Sequence, residues 1–232
     1  MRVGTVTELW RYPVKSMAGE RLDAAEISWH GVAGDRRWAF VRPGLERSNF
    51  PWLTIRERPE MAHFRPAFSE PERPEDSPTV VRTPDGDELD VTDPALAALL
   101  GDGVRLMKQN RGIPDIAPLS LMTTATIARL SDLVDARLDV RRFRPNLLVE
   151  PAGDEPFAED GWVDAVLRIG EARMRVDQRD KRCVMINVDP DTTERDPAVL
   201  RTVAQRRASC LGVYGTTVQP GRVAVGDPVV LD

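Results

Sequence analysis

Cysteine and histidine are scarce in this chain, whose 232 residues hold two of each: Cys183 and Cys210, His30 and His63. Two cysteines cannot build a disulfide scaffold, and a structural zinc site would want four Cys or His ligands in paired short spacings. Lysine is scarce too, with only Lys15, Lys108 and Lys181 among 32 basic residues. Arginine carries the rest, so a single arginine says little and a lysine stands out. No apolar run approaches the ~20 residues needed to cross a bilayer, and the opening MRVGTVTELW lacks the basic-then-apolar order of a secretory signal. The formal net charge of −5 leaves no basic field for wrapping nucleic acid. Nucleophile elbow, Walker loop and dinucleotide fingerprint are absent as well. These absences predict a soluble, cytoplasmic protein that binds neither nucleic acid nor membrane.

What is present reads as many short strands. VGTVTELW, AAEISWHGV, RRWAFV and PWLTIRE carry β-branched and aromatic residues between Gly, Pro and Asp clusters. Residues 69–79, SEPERPEDSPT, are acidic and proline-rich, a solvated loop. The stretch around Pro84-Asp85-Gly86-Asp87 predicts a hairpin. Three helices are expected: 93–100 with Asp93 as cap and Pro94 at its first position, 123–136 with apolar Ile127, Leu130 and Val134, and 195–207 with Asp196 and Pro197 repeating the first helix's start. Strands then follow in FRPNLLVE, AVLRIG, ARMRVD and the C-terminal LGVYGTTVQPGRVAVGDPVVL. So strand-rich a chain with few helices argues for a mainly β protein built on a barrel.

Candidate chemistry is diffuse when each residue is taken alone. Cys183 follows Lys181 and Arg182, and positive neighbours favour a thiolate, the form that attacks or binds metal. By spacing it reads equally as a small hydrophobe opening a strand in RCVMINVDP. Lys15 sits on a bend between Pro13 and Gly19, placed for an anion or simply for water. In RRFRPN an extended chain would set Arg142, Arg144 and Asn146 on one face, a row suited to phosphate or to guarding a sheet edge. Glu159 and Asp160, just before Gly161, could form an acid–base pair of carboxylates, but their place in a loop reads rather as solvated turn residues.

The order of these pieces is more telling than any one of them. YPVKSMAG, GDRRWAFV, RFRPNLLVE, FAEDGW, RCVMINVDPDT, DPAVLRTVAQ and LGVYGTTVQPGRVAVGDPV succeed one another over nearly the whole chain. In this order they resemble the MOSC-domain family, in the branch that includes the mitochondrial amidoxime reducing component and bacterial reductases of N-hydroxylated compounds. The resemblance implies an N-terminal β-barrel-like subdomain over residues 1–105 and a MOSC β-barrel domain over 106–232. It implies a molybdenum cofactor, Mo-molybdopterin, in a cleft between them, with Cys183 as metal ligand and catalytic residue. Lys15, Ser16, Arg36, Asp115, Arg144, Asn146, Arg182 and Tyr214 match cofactor-binding positions. Pyridoxal phosphate binding is a further family-level expectation. The implied activity is reduction of amidoximes, hydroxamic acids or N-hydroxylated bases, with electrons from a separate flavin, haem or iron–sulfur protein. A cofactor or persulfide carrier without reductase activity is the alternative, and an interaction module with a relic cleft is a third. Lys181, where a small polar residue is usual, and Asn187, where threonine is usual, depart from the family's pattern.

Overall fold

In a computed structural model that describes all residues Met1–Asp232, the first half runs through β1 (Arg2–Arg11), β2 (Glu20–Leu22), β3 (Ala24–Ser28), β4 (Gly31–Val32) and β5 (Trp38–Val41), then β6 (Arg65–Phe68), β7 (Thr79–Arg82), β8 (Glu88–Asp90), α1 (Pro94–Leu100) and β9 (Arg105–Lys108). The second half carries β10 (Leu119–Thr123), α2 (Thr124–Val134), β11 (Leu147–Pro151), β12 (Val166–Ile169), β13 (Ala172–Lys181), α3 (Pro197–Arg207), β14 (Cys210–Gln219), β15 (Gly221–Ala224) and β16 (Pro228–Leu231). The sheet order is β11-β10-β14-β13-β12-β16-β1-β2, and a further pairing of β11 with β1 closes a seven-stranded barrel. Closure removes the exposed edges that an open sheet would present. The mainly β architecture with three helices is the one expected from the sequence.

Alternation builds this barrel. Along β13, Ala172, Met174 and Val176 are buried while Arg173 and Arg175 are exposed, the period-2 signature of a strand with one apolar face. Their inward side chains join Val6 and Leu9 of β1, Leu119 and Leu121 of β10, and Val213 of β14 in one core. All barrel pairings are antiparallel except β10 with β11. That parallel pair needs a crossover, and α2 supplies it. The helix starts where Thr123 accepts a hydrogen bond from the Thr126 amide, and packs with α3 over Met122, Leu148 and Leu211 in a second core outside the barrel. A third core, around Phe40, Met61, Val81 and Leu96, holds together the sheets β5-β9 and β6-β7-β8 and α1, while the sheet β15-β3-β4 packs its Ala25, Ile27 and Val32 into the barrel core.

Several local expectations change. Residues 51–57 form no strand: Trp52 makes a single bridge to Val41, and Leu53 and Ile55 enter the N-terminal core from irregular backbone closed by Glu57 on the Thr54 amide and hydroxyl. The RRFRPN run is not extended. Val140–Arg142 is a 3-10 turn and Arg144 has φ +53°, because the chain must bend into β11. Nor does Cys183 open a strand: β13 ends at Lys181, and Cys183 caps a 3-10 turn over Val184–Asn187. Glu159 is no solvated turn residue. It is fully buried and accepts hydrogen bonds from the hydroxyls of Thr123 and Thr126, both at 2.9 Å, at the start of α2.

Candidate functional site

The largest concentration of buried polar side chains lies around a cavity of about 280 Å³ between the barrel's outer face and the N-terminal sheets. Ser120 of β10 and Tyr214 of β14 are direct cross-strand partners there. They point away from the interior filled by their neighbours Leu119, Leu121 and Val213. Loops supply the rest: the bend after β1 brings Lys15 and Ser16, the segment before β5 brings Arg36, the approach to β10 brings Asp115, the turn before β11 brings Arg144 and Asn146, and the end of β13 brings Arg182 and Cys183. All nine residues singled out from the sequence therefore meet at one cavity, drawn from positions 15 to 214.

Three of the nine sit in strained backbone. Ser16, Arg36 and Arg144 have φ of +69°, +49° and +53°, the left-handed region that costs a non-glycine residue about 1 kcal/mol or more. The surrounding contacts enforce it. Tyr12, fully buried, takes its amide hydrogen bond to Asp35 and donates its hydroxyl to the Pro145 carbonyl at 3.1 Å. Arg36 and Arg144 lie over its ring at 4.8 and 4.2 Å from the centroid. Asp35 pairs with Arg36, whose other amino group reaches the Arg144 carbonyl at 3.3 Å.

Charge in the cavity opposes that of the whole chain. Basic side chains outnumber the two carboxylates, Asp115 and Asp180. The Lys15 ammonium is buried, donates to the Ile113 carbonyl at 2.9 Å and pairs with Asp115. Burial lowers the Lys15 pKa, and the Asp115 carboxylate partly restores it. Burial would raise Asp115, but the Lys15 charge and hydrogen bond hold it below the usual carboxylate range. Arg144 donates to the Met17 carbonyl at 2.6 Å, while its Nη2 is buried with no partner. Burial brings its pKa down to about 10, which leaves it charged at neutral pH.

Not every predicted residue has a free hand. Asn146 spends its amide on the barrel, accepting from Ser120 at 3.2 Å and donating to the Trp10 carbonyl at 3.2 Å. Arg182 bonds the carbonyls of Leu211 and Phe143, each at 2.8 Å, and lies 3.2 Å from the Met122 sulfur. These two hold the walls in place.

Two charged residues at the cavity were not legible in the sequence. Arg56 comes from the irregular segment after β5, 127 positions before Cys183, and its Nη2 donates to the Cys183 sulfur at 3.2 Å while its guanidinium lies 5.0 Å from the Phe50 ring. Only its spatial neighbour reveals it. Asp180 is buried at the end of β13. Arg182 Nη2 lies 2.8 Å from its Oδ2 but out of line for a hydrogen bond, so that oxygen has a charge beside it and no donor.

Burial raises the Asp180 carboxyl to about 6, against the Arg182 charge and a hydrogen bond to Tyr214, which lower it. A carboxyl held higher in the folded than in the unfolded chain binds its proton more tightly when folded. The stability it contributes is therefore complete below about pH 4 and is lost as pH rises through about 6. Asp180→Asn removes that slope. Urea midpoints measured from pH 4 to 7 should show the variant gaining on wild type by something of the order of 3 kcal/mol, two pKa units at about 1.4 kcal/mol each. Parallel curves across that range would contradict the burial account.

Comparison with known proteins follows this geometry. Residues 3–110 match the MOSC N-terminal beta barrel domain and residues 108–230 match the MOSC domain. The mitochondrial amidoxime reducing component 2 of Bos taurus is 27% identical over 98% of this chain and 83% of its own length, and that of Homo sapiens is 26% identical over the same shares. The mitochondrial amidoxime-reducing component 1 of Danio rerio reaches 35% over 50% of this chain and 37% of its own length. Among solved structures, the YUAD protein from Bacillus subtilis superposes with a TM-score of 0.53 at 11% identity over 98% of this chain and 94% of its own, a likeness of fold alone. With both of its models matched end to end, the chain belongs to the MOSC family, and its relatives include the amidoxime reducing components.

Proposed function

We propose that this protein is a molybdenum-cofactor-dependent reductase of N-hydroxylated compounds: amidoximes, hydroxamic acids or N-hydroxylated bases. The observation that carries the reading is the convergence of all nine expected residues on one cationic cavity with a cysteine in its wall. The donor set fits the group. A buried Arg144 N–H without a partner and the Lys15 ammonium suit a phosphate, and a thiolate is a soft ligand for a soft-accepting metal site. When bound, the cofactor supplies the two-electron chemistry, in which an N–O bond takes up two electrons and two protons and releases water.

The chain's own residues do the positioning. Lys15, Arg36 and Arg144 neutralise the anionic end, and Ser16 adds a hydroxyl on strained, fixed backbone. Cys183 ligates the metal, and Arg56, donating to its sulfur, orients it. Asn146 and Arg182 hold the walls. Ile116 and Val184, exposed beside Asp115 and Cys183, and Phe50 at the cavity wall give an apolar rim for an organic substrate. Electrons come from a separate flavin, haem or iron–sulfur protein. No helix is long and apolar enough to cross a membrane.

The test is direct. Protein purified from a cofactor-competent host should carry molybdenum and pterin at close to one per chain and reduce an aromatic amidoxime to the amidine with an artificial electron donor. A protein that carries both but reduces no N-hydroxylated compound would favour the carrier alternative. One that carries neither would overturn the proposal.

A further inference from the structure

In the sequence, the charges beside Cys183 are Lys181 and Arg182. In the fold, neither gives its sulfur a hydrogen bond. The three guanidinium nitrogens of Arg182 are spent elsewhere: Nε, Nη1 and Nη2 lie 2.8 Å from the Leu211 carbonyl, the Phe143 carbonyl and the Asp180 carboxylate. Lys181 stands exposed. Lys15, Arg36, Arg142 and Arg144, the other basic groups at the cavity, are held by oxygen partners of their own. The group that reaches the sulfur is Arg56, whose Nη2 donates to Sγ at 3.2 Å.

Arg56 is fixed for that contact. Its amide donates to the Thr54 hydroxyl at 3.3 Å, its carbonyl accepts from Arg195 at 2.8 Å, and its guanidinium lies 5.0 Å from the Phe50 ring. Just before it, Leu53 and Ile55 anchor the segment in the N-terminal core. A donor to a coordinating sulfur draws electron density from it, and a cation beside it favours the state that carries more negative charge. Both effects raise the reduction potential of a metal held by that sulfur.

We propose that Arg56 raises the reduction potential of the metal bound at Cys183, through its hydrogen bond to the sulfur. It acts through Cys183 and is a positioning residue. The inference rests on the function proposed above and goes beyond the orientation of the ligand: the part of the chain before residue 110 gains an electronic share in a centre whose metal ligand lies in the part after it.

The test compares molybdenum-loaded wild type with Arg56→Met, which removes the donor and keeps an apolar stem, and with Arg56→Gln, which removes the charge and keeps a polar end. Circular dichroism of the cofactor-free chains checks folding, and metal analysis checks loading. Redox titrations followed by molybdenum EPR and visible absorption then give the ratio of reduced to oxidised metal at the potential where half of the wild-type metal is reduced. That ratio should fall about tenfold in both variants, comparable to the lower end of what losing the partner of a metal ligand costs. Variants that load molybdenum and titrate together with wild type overturn the role of Arg56. Folded variants that take up no molybdenum overturn it too, since Arg56 would then hold the cofactor and not tune it. Wild type that carries no molybdenum brings down the function proposed above, and this inference with it.

Discussion

Serine at position 183 is expected to lower N-hydroxy reductase activity at least about 100-fold and to strip molybdenum from the purified protein. Loss of groups that only orient a metal ligand typically costs 10- to 100-fold in affinity or activity, so loss of the ligand itself should cost no less. The oxygen of serine stays protonated near neutral pH and is a poor replacement for a soft thiolate. Folding should be untouched: Cys183 is half-buried, its side chain caps nothing, and its one polar contact is the Arg56 donor at 3.2 Å, which a hydroxyl also accepts. Thermal midpoints of wild type and Cys183→Ser, both produced without the cofactor so that bound ligand stabilises neither, should therefore coincide, while metal content and activity diverge when both come from a cofactor-competent host. Full activity in the serine variant would end the assignment of Cys183.

The largest effect on stability should come from Glu159→Ala. This carboxylate has no exposed surface and no cationic partner. What holds it is a set of donors at the beginning of α2, the hydroxyls of Thr123 and Thr126 at 2.9 Å and, more weakly, the Thr123 amide at 3.4 Å, where the helix N-terminus favours negative charge. Alanine leaves those donors buried without their acceptor, and each such loss costs about 1–3 kcal/mol. The two hydroxyls lie 3.0 Å apart and can recover part of this by bonding each other. A net loss of about 3 kcal/mol is expected, read as a lower urea midpoint at unchanged slope. Glu159→Gln, which keeps one acceptor oxygen, should lose about 1 kcal/mol. An alanine variant as stable as wild type would show that the network is not needed.

Glu159 also marks where sequence reasoning stops. Beside Asp160 and Gly161 it has the neighbours of a solvated turn, and nothing within several residues announces the threonines that bury it. Arg56 is hidden in the same way. In an arginine-rich chain it resembles every other arginine until the segment after β5 folds against the end of β13. Arg142, Arg144 and Asn146 show the converse. Their gathering at the cavity was foreseen, but from an extended backbone, whereas a 3-10 turn and a left-handed residue do the work.

The sequence by itself determined the strand-rich class, all three helices with their Asp and Thr caps, and, through the order of its motifs, the family and the nine residues that meet at the cavity. These are local or serial properties: a cap, an alternation or a motif lies within a few positions or in a fixed succession. Tertiary structure alone decided which of those nine keep free hydrogens and which are spent on the walls, and it alone set Arg56 against Cys183 and left Asp180 an oxygen without a donor. Hydrogen-bond satisfaction and desolvation are sums over everything that surrounds a group, and the groups surrounding this cavity are drawn from a 200-residue stretch of chain, positions 15 to 214, folded against itself.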